Sequence, residues 1–194
     1  RADLPLRAFW RVALAMPLAI PSYIAAWGWI GWSPSLAGFR GSVLVLTLIS
    51  YPYVYLPVLG ALRRADPALA EVARSAGRSP AQVFVGVTLR QIRIAAFGGC
   101  VLVALYTLSE FGAVSIMRYE TLTKVIYTSY RASFDRTPAA VLGCVLVAIT
   151  LVPLWLGVRS SAAGRIARVG SGVGHDAATV RLGLWRWPAV AGCT

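Results

Sequence analysis

The sequence predicts an all-α fold, a polytopic membrane helix bundle, and three observations carry that prediction. Its 194 residues are 58% hydrophobic and only 13% charged, with a mean hydropathy of +0.68. A soluble domain carries about a quarter charged residues, so composition alone points to lipid as the solvent. Four apolar runs approach or reach the roughly 20 residues that a helix needs to cross a bilayer. The third observation is charge: 19 Lys and Arg stand against 7 Asp and Glu, a formal net charge of +12. Nucleic-acid binding would be one explanation of that excess. Arginines gathered between membrane spans explain it better, because cytoplasmic loops collect positive charge. Membrane lipid is therefore an expected partner and nucleic acid is not.

The first span is expected at about residues 10–32, after a lead-in carrying Arg1, Arg7 and Arg11 against Asp3. Pro17 and Pro21 interrupt it, which a buried membrane helix tolerates when neighbours satisfy the freed carbonyls. Trp27, Trp29 and Trp32 crowd its far end, where indole rings favour the headgroup level. A short turn with Arg40 leads to the second span at about 42–62. That span ends in Tyr51, Pro52, Tyr53, Tyr55 and Pro57, so a kink is expected there.

The third span is expected at about 92–112 and contains Gly98 and Gly99, small residues that let helices approach. Its purely apolar part ends at Leu108; extending it to Gly112 puts Glu110 near the outer end. Leu122, Val125, Ile126, Ser129 and Tyr130 then fall at helical spacing, which suits a short amphipathic helix at the surface. The fourth span is expected at about 139–158. Residues 1–169 thus form part of a transmembrane domain, 170–186 a Gly/Ser/Arg-rich cytoplasmic linker, and 187–194 the start of another span. With Arg at residue 1 and an apolar run just opening at the other end, the chain reads as a piece of a longer polypeptide. Cys100, Cys144 and Cys193 sit in apolar surroundings, show no metal or redox spacing and read as small buried residues. His175, alone in the linker, receives no role.

The longest stretch that lipid would not accept is the elbow at 63–91. Asp66 suits an N-cap and Pro67 the first helical position, so a helix should run from Pro67 to Ala76. Leu69, Val72, Ala73 and Ala76 form its narrow apolar stripe. Gly77 can take the left-handed conformation that ends a helix. Ser79, Pro80 and Gln82 then look like a second start, a capping box with proline in its first turn. Two helices joined at a glycine also resemble a DNA-reading helix-turn-helix, but the apolar runs on both sides argue against that.

Topology follows from charge and parity. If the elbow is cytoplasmic, the lead-in and the linker are cytoplasmic too, each two spans away. Those segments hold most of the arginines, including Arg63, Arg64, Arg74, Arg78, Arg90 and Arg93 of the elbow. The opposite loops carry Arg40, Arg118, Lys124, Arg131 and Arg136, largely balanced by Glu120 and Asp135. Count and parity agree with the positive-inside rule.

A structured, capped connection is longer than two bundled spans require, which implies that something docks on it. Here the chain resembles the permease subunits of ABC importers. Their cytoplasmic signature is Glu-Ala-Ala, three residues, Gly, nine residues, then Ile-x-Leu-Pro. This sequence has Glu71-Val72-Ala73, three residues, Gly77, nine residues, then Val87-Thr88-Leu89-Arg90. The segments LSEFGAVSIMRYETLTKVIYTSYRASFDR and Leu184-Trp185-Arg186-Trp187-Pro188-Ala189 extend the likeness toward the ferric-iron permeases, in which two such halves are fused. Molybdate, sulfate, thiamine and polyamine permeases share much of the pattern.

The resemblance implies a type I ABC importer permease fold in the bacterial inner membrane, with the chain as a fragment of the first half. It implies that Glu71, Ala73, Gly77, Val87 and Leu89 dock an ATPase subunit, present as a dimer, so that ATP is bound there and no cofactor in this chain. An extracytoplasmic substrate-binding protein and a second permease half are the other implied partners. The residues themselves offer no nucleophile–base pairing, metal cluster or phosphate loop, so neither an enzyme nor a metal site is expected. Glu110 is a candidate pathway-lining residue, since an ionisable group at a span edge usually faces the bundle interior or water; a plain interfacial anchor is the other reading. Tyr51, Tyr53 and Tyr55 invite ferric ligation but fit an aromatic belt better. A non-ABC membrane transporter or simple membrane anchor stays as the alternative, though neither needs a capped elbow.

Overall fold

A computed structural model describes residues 7–132 and 135–165, with side chains for 9–132 and 135–160. The expected linker at 170–186, the span opening at 187, His175 and Cys193 lie outside the described residues. The all-α expectation holds: the described residues form helices and turns, with no strand among them.

The first apolar run is a helix broken in two. α1 (Arg7–Ala15) tightens into a 3-10 turn at Met16–Ala19. Ile20 then takes an extended backbone (φ −94°, ψ 118°) because it precedes Pro21, whose ring disfavours helical geometry in the residue before it. α2 (Ser22–Trp32) leaves at 92° to the segment before the break. The two prolines donate no N–H, and the Leu14 carbonyl just before the break is taken by the Tyr51 hydroxyl at 2.7 Å. That is the satisfaction by a neighbour which an interrupted membrane helix needs.

α3 (Phe39–Ser50) and α4 (Pro52–Arg64) join through Tyr51, whose backbone stays helical, making one 26-residue helix. α5 (Pro67–Ser75) follows, then α6 (Pro80–Val83), a π-helical turn (Phe84–Thr88) and α7 (Leu89–Ser109). From Pro80 to Ser109 these run on as one 30-residue helix, so the elbow's second arm is the beginning of the third span. α7 ends at Ser109, short of the expected Gly112, because Glu110 is extended (φ −70°, ψ 130°). α8 (Gly112–Ile116), α9 (Leu122–Ala132) and α10 (Thr137–Arg165) complete the described chain. α9 matches the amphipathic helix expected from spacing. α10 runs to Arg165 rather than ending near 158. Asp135 caps it, accepting the Thr137 N–H at 2.9 Å, and hydrogen bonds from the Thr137 side chain and backbone hold that carboxyl below its ordinary value.

Helix packing places small residues where axes cross. α4 lies against α7, and a Cβ on Gly99 would stand 2.6 Å from Val54 Cα and 2.8 Å from the Tyr53 carbonyl oxygen. Only glycine permits that approach, whereas Gly98 faces open space. α7 also packs on α10, where Gly157 meets Val101, and α9 packs on α10. A second centre forms where α2, α3 and α8 meet, burying Ala26, Val45, Ile49, Ala113 and Met117. The Met117 carbonyl accepts the Gly38 N–H at 2.6 Å, closing this group.

Much of the outer surface is apolar, and it includes Cys100 and Cys144, which are exposed rather than buried as expected because the helix faces that carry them are uncovered by other helices among the described residues. Val141, Val147, Leu151, Val152 and Trp155 on α10 are each more than half exposed, a face water would not tolerate but lipid or another membrane helix would. Phe39–Arg64, Pro80–Ser109 and Thr137–Ser160 are long and apolar enough to cross a membrane. The bent pair α1–α2 is a fourth crossing if it counts as one span.

Candidate functional site

The elbow owes its shape to local chemistry. The Asp66 carboxylate accepts the Ala68 N–H at 2.9 Å, capping α5 as its sequence position requires. α5 closes with both bonds of a Schellman motif, Arg78 N–H to the Ala73 carbonyl (3.2 Å) and Gly77 N–H to the Arg74 carbonyl (2.9 Å). Gly77 supplies the positive φ of 79° that this ending needs. Both arms of the capping box are formed: the Gln82 N–H donates to Ser79 Oγ (3.4 Å) and the Ser79 N–H to Gln82 Oε1 (3.0 Å). The turn between the arms is thus tied on both sides.

Glu71 and Ala73 stand on α5, Val87 on the π-helical turn and Leu89 at the start of α7, and α5 packs directly against that turn. Folding therefore brings the two halves of the sequence pattern together. Arg90 falls in the first turn of α7, and the helix continues through it; local unwinding is confined to Phe84–Thr88. Gln91, which the sequence did not mark, ties the elbow's entry to its exit by accepting the Asp66 N–H at 3.1 Å. No periodicity or motif distinguishes that glutamine from a solvent-facing one.

The elbow's outer face is open and of mixed character. Glu71 is exposed and, among the described residues, makes neither an ion pair with Arg74 nor any other. Leu69 and Val72 are 53% and 66% exposed, and Phe84 and Val85 add more uncovered apolar surface. All six elbow arginines are exposed, with the Arg78 guanidinium reaching over Gly86. A rigid, basic, amphipathic hairpin with an uncovered apolar stripe suits protein docking.

Glu110 sits at the other end of the long helix and is only 8% exposed. Its Oε1 accepts the Ser22 hydroxyl and the Ala113 N–H, each at 2.9 Å, and its carbonyl accepts the Thr123 hydroxyl at 2.8 Å. Tyr106, itself ring-to-ring with Tyr53 at 5.4 Å, faces the same carboxylate and Ser22. Ser22, Tyr106 and Thr123 carried no sequence signal, since each lies far from Glu110 in the chain or within an apolar run. Of the three tyrosines weighed as iron ligands, Tyr51 is engaged with Leu14 and Tyr53 with Tyr106. No group of three His, Cys, Asp or Glu occurs among the described residues. An open groove of about 390 Å³ near the α9–α10 contact, lined by Phe111, Ile126, Tyr127, Tyr130 and Leu146 among others, is apolar and holds no charged side chain.

A family model described as "binding-protein-dependent transport system inner membrane component" matches residues 2–162. The Fe(3+)-transport system permease protein FbpB 2 of Haemophilus influenzae is 40% identical over 146 residues, covering 75% of this chain. The chloroplastic sulfate permease 2 of Chlamydomonas reinhardtii is 27% identical over 80% of the chain. The sulfate transport system permease protein CysW of Synechocystis is 29% identical over 78% of it. The chain spans 29%, 48% and 63% of the lengths of these three relatives, respectively. No solved structure matches it significantly.

Proposed function

The chain belongs to the binding-protein-dependent transport system inner membrane components, a family of multi-pass membrane permeases, and from that premise we propose that it forms part of the permease of an ATP-driven ferric-iron importer. The observation that carries the proposal is the elbow: a doubly capped hairpin whose apolar stripe and free Glu71 carboxylate find no partner in the described chain. In this reading the elbow faces the cytoplasm, consistent with its arginines, and seats in a groove of an ATPase subunit, one of a dimer. Glu71 meets a basic group there, Val72 and Leu69 fill apolar contacts, and Gly77 holds the two arms at their angle. ATP is bound and hydrolysed by that partner, not by this chain.

Closure of the ATPase dimer pulls on the elbow, and because its second arm is continuous with α7, the pull acts along a membrane-crossing helix. A binding protein on the opposite side delivers the cargo, and a second permease half faces this one across the pathway in the bacterial inner membrane. Ferric iron is the favoured cargo because the relative that is 40% identical is named for it. Sulfate is the second reading, favoured by the names of the two more distant relatives.

The test uses the full-length protein with its ATPase and binding protein, measuring uptake of radioactive iron and of sulfate beside copurification of the ATPase. Gly77→Val forces a β-branched side chain onto a positive φ. It is expected to abolish both uptake and copurification, since the whole second arm is displaced. Glu71→Ala removes one charge-assisted contact worth about 1.5–3 kcal/mol, so copurification weakens without vanishing. Normal uptake with Gly77→Val would overturn the docking role. Sulfate uptake without iron uptake would move the assignment to the second reading.

A further inference from the structure

We propose that Glu110 is a positioning residue, a latch at the far end of the elbow's lever that joins four helices and must be free to rearrange for transport. The inference rests on the importer reading above and deepens it. From the capping box to Ser109 the chain is one continuous helix of 30 residues, which at 1.5 Å per residue is about 45 Å long. One end is the elbow; immediately past the other is Glu110. Movement imposed on the elbow therefore arrives at this carboxylate.

Glu110 is placed to distribute that movement. The Ser22 hydroxyl, bonded to Oε1, is the first residue of α2, just after the proline break. The Ala113 N–H, bonded to the same oxygen, belongs to the first turn of α8. The Thr123 hydroxyl, bonded to the Glu110 carbonyl, lies in the first turn of α9. One residue thus connects the end of α7 to the starts of three other helices. Its contacts cannot be made by apolar packing, and a buried carboxylate is costly unless so bonded. The break at Met16–Ile20 separates α2 from α1, so α2 is held by its packing on α3 and α8 and by the bonds at its first turn. Gly112 lies against the same place, with a built Cβ 3.2 Å from Tyr23 Cβ and 3.7 Å from Ser22 Oγ. The latch and its neighbours are thereby the joint at which α2 and α8 shift relative to each other when α7 moves.

The decisive experiment replaces Cys100, Cys144 and Cys193 by serine in the full-length protein and introduces Tyr23→Cys with Gly112→Cys. The short Cβ separation lets these two cysteines form a disulfide with only a small backbone adjustment, pinning α2 to α8. In proteoliposomes with the ATPase and binding protein, oxidation should abolish uptake and reduction should restore it, while ATPase copurification and ATP hydrolysis persist. Glu110→Ala in the unlinked protein should lower uptake by about tenfold or more, again without loss of copurification. Glu110→Gln keeps an oxygen for Ser22 and Ala113 and should retain most of the uptake. If Glu110→Ala does not accumulate, the disulfide pair decides alone. Normal uptake with the disulfide fully formed, or failure of the two cysteines to join, would overturn the latch. A parent protein that neither transports nor binds an ATPase would overturn the importer reading and the latch with it, whereas an active parent with a harmless lock sinks only the latch.

Discussion

Gly98 and Gly99 are adjacent, chemically identical and within the same helix, yet their surroundings differ completely. At Gly99 the backbone of α4 lies so near that the first added carbon would overlap Val54 and the Tyr53 carbonyl; at Gly98 nothing lies within 4 Å. Gly99→Val should therefore destabilise the protein by about 1–3 kcal/mol or more, since the α4–α7 crossing must open. Gly98→Val should change stability by no more than about 0.5 kcal/mol, as surface substitutions usually do. Thermal unfolding of the two full-length variants in detergent checks this, and equal melting temperatures would refute the role of Gly99. The sequence marks both glycines as sites of close approach; which one is used depends on the rotation of α7 about its axis. The same limit applies at Glu110, where the carboxylate was visible but its donors, Ser22 and Ala113, were not. By contrast, Asp66, Gly77, Ser79 and Gln82 act within a few residues of themselves, so their roles were legible.

At the scale of elements, the broken first run shows how much tertiary contact decides. Two prolines made an interruption certain, but not its 92° angle or the partner of the freed carbonyl. That partner is the Tyr51 hydroxyl, 37 residues away and 2.7 Å from the Leu14 oxygen. Tyr51→Phe removes the donor and leaves a carbonyl unsatisfied where water is scarce, a loss of about 1–3 kcal/mol. Limited proteolysis around residues 15–21 should then proceed faster than in the parent protein, and unchanged cleavage would show that another group satisfies Leu14. The elbow's two arms were both legible because helix caps are local signals. That the second arm flows into the third span was less so: from Ser79 onward nothing stops a helix, but the motif pattern suggests a separate piece. α7 stops at Ser109 rather than Gly112 because Glu110 turns its side chain to the start of α8 instead of continuing the helix.

For the whole molecule, orientation is the testable property. In the proposed orientation the arginine-rich elbow faces the cytoplasm and the α8–α9 region, at the other end of the 30-residue helix, the opposite side. A cysteine at the exposed Ala81 should react with an impermeant thiol reagent only after cells are opened. One at the exposed Glu120 should react in intact cells, once Cys100, Cys144 and Cys193 are replaced. The reverse labelling would overturn both the orientation and the docking of the elbow on a cytoplasmic ATPase.

By itself the sequence determined the solvent, the all-α class, the apolar runs that become long helices, and the capped elbow with its Gly77 turn. These follow from composition, run length and caps, which act along the chain over a turn or two. Tertiary structure alone decided the angle at the first break, which of two glycines meets a neighbouring backbone, and the four-helix junction at Glu110. Each of these depends on how helices rotate and cross, and in lipid that is settled by close packing and a few long-range hydrogen bonds. The residues that make those bonds are ordinary serines, threonines and tyrosines, and only their partners across the bundle distinguish them.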